Sequence, residues 1–321
     1  MRIFVTGATG AIGFAVVKEL LAAGHQVIGL ARSDASGEKL RKVGAQVKVG
    51  AIENMDILGQ AASESDGVIH TAFYHQISHM PFGTRLRVFL GGAPNRIVER
   101  FMRAAVDADR RAIEMFGNTL VGSNRPLVVP FASLALHQGQ LATEDQSYDP
   151  MFYAVARART EDTLAGYASR AVRTSAIRLP PTVHSAERAG LATMLMEIAG
   201  KKKESAYLGD GKNHWPSVHR DDAARLFRLA LEKGEAGGTY HAIAEQGIPF
   251  RDIAQAIGER MNVPVVGKSQ KLAAKHFGFL APFIGVDNLV SSARTRVVLG
   301  WEPTCPSLFA DLKQGAFIEG K

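Results

Sequence analysis

The stretch Met1-Arg-Ile-Phe-Val-Thr-Gly-Ala-Thr-Gly-Ala-Ile-Gly13 joins an apolar strand to a helical pattern through glycines at positions 7, 10 and 13. The helical pattern covers residues 15–21, and a second apolar strand follows at 25–30. In this order Gly7 suits a tight turn, Gly10 lets the main chain approach a pyrophosphate, and Gly13 lets the helix pack on the strand. The free N–H groups at the helix N-terminus then hold phosphate. The stretch therefore predicts a dinucleotide-binding turn.

The end of the second strand indicates which dinucleotide binds. An acidic residue there favours NAD, whereas an arginine pairs with the 2′-phosphate of NADP. This chain has Ala31-Arg32-Ser33 and no acid at that point. Arg32 can stack on adenine and donate to phosphate, and Ser33 adds a hydroxyl donor. NADP(H) is expected in preference to NAD(H), the alternative being an ordinary solvated arginine.

Composition limits the other classes of function. The chain has 321 residues, 46% of them hydrophobic, which is enough for a large α/β core with a smaller lobe. Its net charge is +7. Between residues 77 and 103 there are five arginines and one acid, so a charge of +4 lies in one segment. Basic runs interleaved with aromatic residues are missing elsewhere, and nucleic acid is not expected as a partner.

Cysteine, histidine and hydropathy patterns indicate the compartment and the metal content. Cys305 is the single cysteine, so neither an internal disulfide nor a cysteine-based metal site is expected. The histidines lack ligand spacing, and no metal is expected. The first strand starts at Met1 and no apolar run reaches the roughly 18 residues that span a membrane. We therefore expect a cytoplasmic protein with no membrane contact.

Strands and helices alternate along the first part of the chain. Strands are predicted near 46–49, 67–71, 126–131 and 172–178, and helices near 35–43, 55–63, 104–120 and 152–169. This order predicts an α/β fold with a doubly wound parallel (Rossmann) sheet. We expect a dinucleotide-binding domain over residues 1–180. A smaller mixed α/β substrate lobe, partly interleaved with it, is expected over 181–321.

Ser133, Tyr153 and Arg157 are the candidate catalytic residues, because ligands of open α/β sheets bind at the carboxyl ends of the strands. Ser133 follows the strand 128–131. Tyr153 and Arg157 are four residues apart, on one face of the predicted helix, where the cation can lower the phenol pKa. The tyrosine can exchange a proton with a carbonyl oxygen that the serine hydroxyl orients. Ordinary surface packing is the alternative for the Tyr–Arg pair.

These residues together resemble the short-chain dehydrogenase/reductases, and more closely the extended and atypical members related to nucleotide-sugar epimerases and dehydratases. The resemblance covers nearly the whole chain. Residues 5–13 look like the family's cofactor turn, and Ser133 and Tyr153 fall where its catalytic Ser and Tyr are expected. The segments 178–183, 215–223 and 299–303 are similar to the family's nicotinamide-lining loop, a helix start and a C-terminal signature.

The resemblance implies a set of cofactor-binding residues: Gly7, Thr9, Gly10, Ala11, Ile12, Gly13, Arg32, Ser33, Ala51, Ile52, Thr71, Ala72, Pro180, Thr182 and Val183. The chain departs from the family in two of its binding positions. Arg157 stands in the slot of the catalytic lysine, and because an arginine stays protonated, a proton relay through that position is not expected. Ala51 stands where the family has an Asp for the adenine amino group, and the main chain at Ala51 and Ile52 is expected to replace it.

The function expected from the sequence is NADP(H)-dependent reduction of a hydrophobic ketone or aldehyde. Two alternatives remain: an NAD(P)-dependent sugar-nucleotide epimerase or dehydratase, and a non-catalytic NADPH-sensing protein. The substrate is not identified, because it depends on loops 74–103, 134–150 and 182–214. The long segment 75–103 is interpreted equally as a lid or an oligomer contact. A homodimer through the helices near 104–120 and 152–169 is a hypothesis.

Overall fold

The computed structural model describes residues 1–152 and 155–314. The strands in these ranges are β1 (Arg2–Thr6), β2 (Gln26–Ala31), β3 (Gln46–Val49), β4 (Gly67–His70), β5 (Pro126–Ala132), β6 (Arg173–Leu179), β7 (Thr182–Ser185), β8 (Arg188–Ala189), β9 (Ser205–Leu208), β10 (His214–His219), β11 (Gly238–His241), β12 (Glu245–Pro249) and β13 (Val265–Lys268). The α-helices are α1 (Ala11–Ala22), α2 (Asp34–Arg41), α3 (Met55–Ser63), α4 (Phe82–Leu90), α5 (Ile97–Leu120), α6 (Val155–Ala158), α7 (Thr160–Ala165), α8 (Leu191–Lys202), α9 (Arg220–Lys233), α10 (Phe250–Met261), α11 (Gln270–Phe277), α12 (Ala281–Ile284), α13 (Ala293–Leu299) and α14 (Leu308–Gln314). None of these helices combines the length and the apolar character needed to cross a bilayer.

The main sheet has seven strands in the order β11-β6-β5-β4-β1-β2-β3. β1 pairs in parallel with β2 and β4, β2 pairs in parallel with β3, and β4 with β5. β1 and β4 are almost wholly buried apolar runs, as strands covered by helices on both faces are. The predicted doubly wound sheet is confirmed. The strand order reverses between β1 and β4, and such a switch point is where open α/β sheets bind ligands.

The chain divides into two compact units. The first contains residues 1–130, 156–176 and 227–238. Its core includes Phe4 of β1, Leu20 of α1 and Phe116 of α5, all without exposed surface. The rings of Phe4 and Phe116 meet edge to face with centroids 6.0 Å apart. This packing holds α5 against β1, the strand that leads into the glycine turn.

The described part of the second unit contains residues 131–152, 155, 177–226 and 239–314. It holds a four-stranded sheet in the order β12-β10-β7-β8 and a two-stranded sheet of β13 and β9. Trp215 of β10 packs on Phe250 of α10 with ring centroids 4.9 Å apart, and both are fully buried. The division of the sequence at residue 180 into two domains stays a prediction.

One predicted helix is wrong in its extent. In place of a single helix over 152–169, the described residues form α6, α7 and a 3-10 turn at Ala168–Arg170. The Thr160 hydroxyl donates to the carbonyl oxygen of Arg157 at 2.7 Å, and such side-chain bonds compete with the helical ladder. The helix predicted from residue 104 starts earlier, at Ile97. Within the segment 75–103 the structure places α4 and the beginning of α5.

Candidate active site

The glycine turn between β1 and α1 has no room for side chains. Gly7 has φ +65°, and a Cβ there would lie 2.7 Å from the main-chain nitrogen of Ala72. A Cβ on Gly13 would lie 2.2 Å from the carbonyl oxygen of Gly7. The Gly10 N–H donates to that same oxygen at 2.9 Å, which closes the turn. Two of the predicted glycines are therefore required by sterics alone, independently of any ligand.

The N-terminus of α1 is open above this turn. Gly10 and Ala11 are exposed, and no side chain caps the helix. The N–H groups of a first helical turn lack intrahelical partners and carry partial positive charge. Thr9 and Ile12 are half-buried beside them. This cradle fits a pyrophosphate, because main-chain donors are available and the glycines let a ligand approach closely.

Thr71 and Ala72, two of the residues predicted to bind the cofactor, lie directly against the turn. The Thr71 hydroxyl donates to the carbonyl oxygen of Thr6 at 2.7 Å, and the Ala72 N–H donates to the Thr6 hydroxyl at 3.3 Å. These bonds tie the carboxyl ends of β1 and β4 together. The structure therefore brings Thr71, Ala72, Gly7 and Gly13 into one small region.

Arg32 and Ser33 differ in how free their side chains are. Arg32 is exposed, and its side chain has no hydrogen-bond partner within residues 1–152 and 155–314. Ser33 caps α2: its hydroxyl accepts from the Ser36 N–H at 3.2 Å, and the Ser36 hydroxyl accepts from the Ser33 N–H at 3.1 Å. Arg32 thus keeps its donors available for a phosphate, while Ser33 already supports the helix start.

Glu53, which follows β3, and Tyr74, which follows β4, form a pair that the sequence did not single out. The Tyr74 hydroxyl donates to the Glu53 carboxylate. Burial and this hydrogen bond raise the pKa of Tyr74 above its usual range, so the phenol stays protonated. The Ala51 N–H is already donated to the Asn54 side chain at 2.7 Å, and Ile52 is buried. That the main chain at Ala51 and Ile52 replaces the family's Asp stays a prediction.

His70, at the end of β4, is held in a buried polar pair. Its Nδ1 lies 2.6 Å from the Thr6 hydroxyl, and its Nε2 lies 3.4 Å from Asp109 of α5. Both His70 and Asp109 are at most 2% exposed. The imidazole also packs edge to face on Phe116, with centroids 5.3 Å apart. His70 is thus oriented from three sides.

Arg157 lies over an aromatic ring in the first unit. Its guanidinium carbon is 3.7 Å from the centroid of Phe73, and an Nη2 hydrogen bond reaches the Pro130 carbonyl at 3.4 Å. Its Nε is buried without a partner among the described residues. Burial lowers the pKa of Arg157, and the negative charge of Asp109 opposes that shift. Tyr153, its predicted catalytic partner, lies outside the described residues.

Ser133 begins a 3-10 turn directly after β5 and is fully buried. Its hydroxyl donates to the Asn288 side-chain oxygen at 2.8 Å, and the Asn288 amide donates back to the Ser133 carbonyl at 2.9 Å. Asn288 is 155 residues away in the sequence and carries no motif, so no sequence signal pointed to it. To donate to a substrate carbonyl, the Ser133 hydroxyl has to turn away from Asn288.

Pro180, Thr182 and Val183 stand at the β6–β7 connection of the second unit. Thr182 is fully buried and donates its hydroxyl to the Pro216 carbonyl at 2.6 Å. Gly190 has φ +54°, and a Cβ there would lie 2.8 Å from the Pro181 carbonyl oxygen. The close packing gives this connection one defined conformation. The hydroxyl of Thr182 serves that packing.

Comparison with known proteins adds three findings. A sequence family described as NAD(P)H-binding matches residues 7–130. An uncharacterized protein of Schizosaccharomyces pombe is 43% identical over 319 residues, covering 99% of this chain and 100% of that protein. The decarboxylating sterol-4-alpha-carboxylate 3-dehydrogenase of Dictyostelium discoideum is 25% identical over 259 residues, covering 78% of this chain and 73% of the enzyme.

Among solved structures, the UDP-glucose 4-epimerase of Thermotoga maritima with UDP-glucose is similar with a TM-score of 0.72. The match covers 98% of this chain and 97% of the epimerase at 20% sequence identity. Identity at that level shows a common fold and leaves the reaction open.

Proposed function

The chain belongs to the short-chain dehydrogenase/reductase superfamily, as a member of its extended type, and from this we propose that it is an NADPH-dependent carbonyl reductase. It is an NAD(P)-binding oxidoreductase of this family. The proposal adds the reaction, which converts a hydrophobic ketone or aldehyde to its alcohol. Arg32 is the observation that favours NADP(H) over NAD(H). Its guanidinium is exposed and unpaired among the described residues, and it stands at the strand end where an acid would favour NAD.

The described residues fit a bound dinucleotide. Gly7, Gly10 and Gly13 make the turn that admits the pyrophosphate, and the open N-terminus of α1 supplies donors for it. Arg32 would hold the 2′-phosphate, because its guanidinium is exposed and has no hydrogen-bond partner among the described residues. When bound, the reduced nicotinamide supplies a hydride to the carbonyl carbon.

The chain's own residues handle the proton and the carbonyl oxygen in this proposal. Tyr153 gives its phenolic proton to the oxygen as the carbonyl becomes an alcohol, and regains a proton from solvent afterwards. Ser133 orients the same oxygen by a hydrogen bond. Arg157 supplies positive charge that favours the phenolate left on Tyr153, in place of the family's lysine.

An apolar substrate is supported by two observations. The α4 helix exposes Phe82, Leu86, Phe89 and Leu90, with exposed fractions of 72%, 47%, 51% and 74%, in the loop region on which specificity depends. The relative from Dictyostelium discoideum is named for a sterol carboxylate, which is a hydrophobic compound with a ring alcohol. We propose a carbonyl compound with a large apolar body rather than a sugar nucleotide.

The test is steady-state oxidation of NADPH and NADH by the purified protein against ketones, aldehydes and diketones of increasing apolar size. Tyr153→Phe and Arg157→Ala are measured beside Arg159→Ala, an exposed arginine two residues further along. The proposal predicts NADPH oxidation that Tyr153→Phe abolishes, Arg157→Ala lowers and Arg159→Ala leaves unchanged. Turnover that survives Tyr153→Phe would contradict it.

A second candidate is a protein that binds NADPH without turning over a carbonyl. Two observations favour it: an arginine in the lysine position, and a Ser133 proton donated to Asn288. Its result in the same experiment is NADPH binding, seen as a change in nicotinamide fluorescence, with no substrate in a broad panel reduced.

A further inference from the structure

A buried chain of polar side chains runs from the glycine turn into α5. It starts at Thr6, the residue before Gly7, whose hydroxyl lies 2.6 Å from His70 Nδ1. The other ring nitrogen, Nε2, lies 3.4 Å from the Asp109 carboxylate. All three side chains are at most 2% exposed. Such groups are rarely placed in a core without compensation, because a buried carboxylate is costly unless charge or hydrogen bonds balance it.

The chain continues from Asp109 to the segment that carries Arg157. The Thr160 hydroxyl lies 3.4 Å from Asp109 Oδ2 and donates to the Arg157 carbonyl at 2.7 Å. Thr160 is 2% exposed, so this link is buried as well. A single hydroxyl therefore stands between the carboxylate of α5 and the main chain of Arg157.

Arg157 is half-buried and has little hydrogen-bond support among the described residues. Its guanidinium rests on the face of Phe73, holds one carbonyl at 3.4 Å, and leaves Nε unpaired among the described residues. Asp109 is an acid whose charge acts on it across the buried region. In a medium of low dielectric such an attraction acts over longer distances than at the surface.

We infer that Asp109 is the positioning residue for Arg157, acting through its charge on the segment whose main chain the Thr160 hydroxyl holds. The carboxylate balances the cation, and the Thr160 hydroxyl fixes the main chain from which Arg157 extends. His70 Nε2 lies 3.4 Å from the same carboxylate without a hydrogen bond among the described residues, which places the carboxylate beside the strand end that carries the glycine turn. The inference rests on the proposed function, in which Arg157 replaces a lysine. A planar guanidinium on a long side chain needs this additional orientation in order to act at a defined place.

The experiment is a double-mutant cycle with Asp109→Asn and Arg157→Gln, in which kcat, KM, NADPH affinity and Tm are measured for each variant. Asp109→Asn keeps the shape of the side chain and removes its charge. We expect it to lower kcat about tenfold while KM changes less than about twofold, since a displaced group acts on the chemical step. In the Arg157→Gln background the same substitution should change kcat by less than about twofold.

Two further variants make the cycle specific. Asp107→Asn changes an exposed acid two residues earlier on the same helix and should leave every value unchanged. Thr160→Val removes the hydroxyl that holds the Arg157 carbonyl but leaves both charges, so it remains informative if Asp109→Asn fails to fold. We expect it to lower kcat severalfold with NADPH affinity preserved. Independent, multiplying losses from Asp109→Asn and Arg157→Gln would overturn the inference.

The cycle also separates this inference from the proposed function. If no carbonyl compound is reduced, Tm and NADPH affinity still report on the pair. In that case the reductase proposal fails, but the positioning role stands if Asp109→Asn shifts Tm by about 5 °C or more in the parent protein and causes no such shift in the Arg157→Gln background. Absence of coupling in every readout rejects the positioning role, whatever the activity.

Discussion

Ser133 and Asn288 form a reciprocal buried pair: the serine hydroxyl donates to the amide oxygen at 2.8 Å, and the amide donates to the serine carbonyl at 2.9 Å. Neither residue has exposed surface. Asn288 therefore fixes both the main chain and the hydroxyl of a residue proposed to orient the substrate carbonyl.

Asn288→Ala should weaken both stability and catalysis. The substitution leaves the Ser133 carbonyl without a donor in the core, which we expect to lower the free energy of unfolding by about 2 kcal/mol. Because the Ser133 main chain loses the amide donor that positions it, kcat/KM should fall about tenfold. Urea unfolding and steady-state kinetics measure the two effects. Gln140→Ala, at an exposed position, is the control, and an unchanged kcat/KM in Asn288→Ala would reject the orienting role of Asn288.

Arg32→Ala should reduce the preference for NADPH. A charge-assisted bond to phosphate contributes about 1.5–3 kcal/mol, so the dissociation constant for NADPH should rise roughly tenfold to a hundredfold while that for NADH changes little. Fluorescence titration with both cofactors gives the ratio. Lys42→Ala removes another exposed positive charge close in sequence and should leave the ratio unchanged. Equal losses for both cofactors would show that Arg32 does not read the 2′-phosphate.

Gly13→Ala should prevent cofactor binding, since the new methyl group would lie 2.2 Å from the Gly7 carbonyl oxygen. Either the turn or α1 has to move, at a cost of about 1–3 kcal/mol. NADPH affinity should fall at least tenfold, measured by titration, alongside a lower Tm. Gly83→Ala is the matched control, because a Cβ there meets nothing within 4 Å and its φ is not positive. Normal NADPH binding by Gly13→Ala would contradict the role given to this turn.

His241 should make the protein less stable at acidic pH. Burial, with the nearby Arg178 charge, lowers its pKa from 6.5 to about 4. The folded state therefore binds this proton less well than the unfolded chain. The contribution of His241 to the free energy of unfolding is fully present above pH 6.5. It is lost as the pH falls to about 4, a decrease of about 3 kcal/mol in all.

The variant His241→Gln tests whether His241 causes this acid loss. Glutamine can keep a donor toward the Ser291 carbonyl oxygen, which lies 2.7 Å from His241 Nδ1, and an acceptor toward Arg178. Urea unfolding at a series of pH values should show a smaller acid loss in the variant than in the parent. His137→Gln, which changes a half-buried histidine, should keep the parent's slope. An identical slope in His241→Gln would assign the acid loss to other groups.

The sequence was most informative where structure depends on neighbouring residues. The turn from Gly7 to Gly13 has a local cause: Gly7 takes φ +65° and a Cβ on Gly13 would meet the Gly7 carbonyl oxygen, so the glycine spacing predicted it. Thr71 and Ala72, which the family resemblance implied as cofactor-binding residues, meet this turn because the parallel strands β1 and β4 end at one edge. The helix at 152–169 was predicted as continuous because periodicity does not show that the Thr160 hydroxyl binds the Arg157 carbonyl.

The remaining features depend on residues far apart in sequence. Asn288 meets Ser133 across 155 positions, and Tyr74 meets Glu53 across 21. Asp109 lies inside a helix whose pattern shows only that this face is buried. An isolated buried acid gives no sign in the sequence of which cation it faces, since that depends on how α5 packs against the strands. These partners become visible only in three dimensions.

Hydride transfer from NADPH to a carbonyl compound is the reaction proposed for this protein. Isotope transfer tests it with NADPH carrying deuterium at the reactive nicotinamide carbon, an apolar ketone that supports turnover, and mass spectrometry of the alcohol. We expect one deuterium in the alcohol, stoichiometric NADP⁺, and loss of both in Tyr153→Phe. A product without deuterium, or a substrate that isomerises with no net NADPH oxidation, would contradict it and support an epimerase or dehydratase instead.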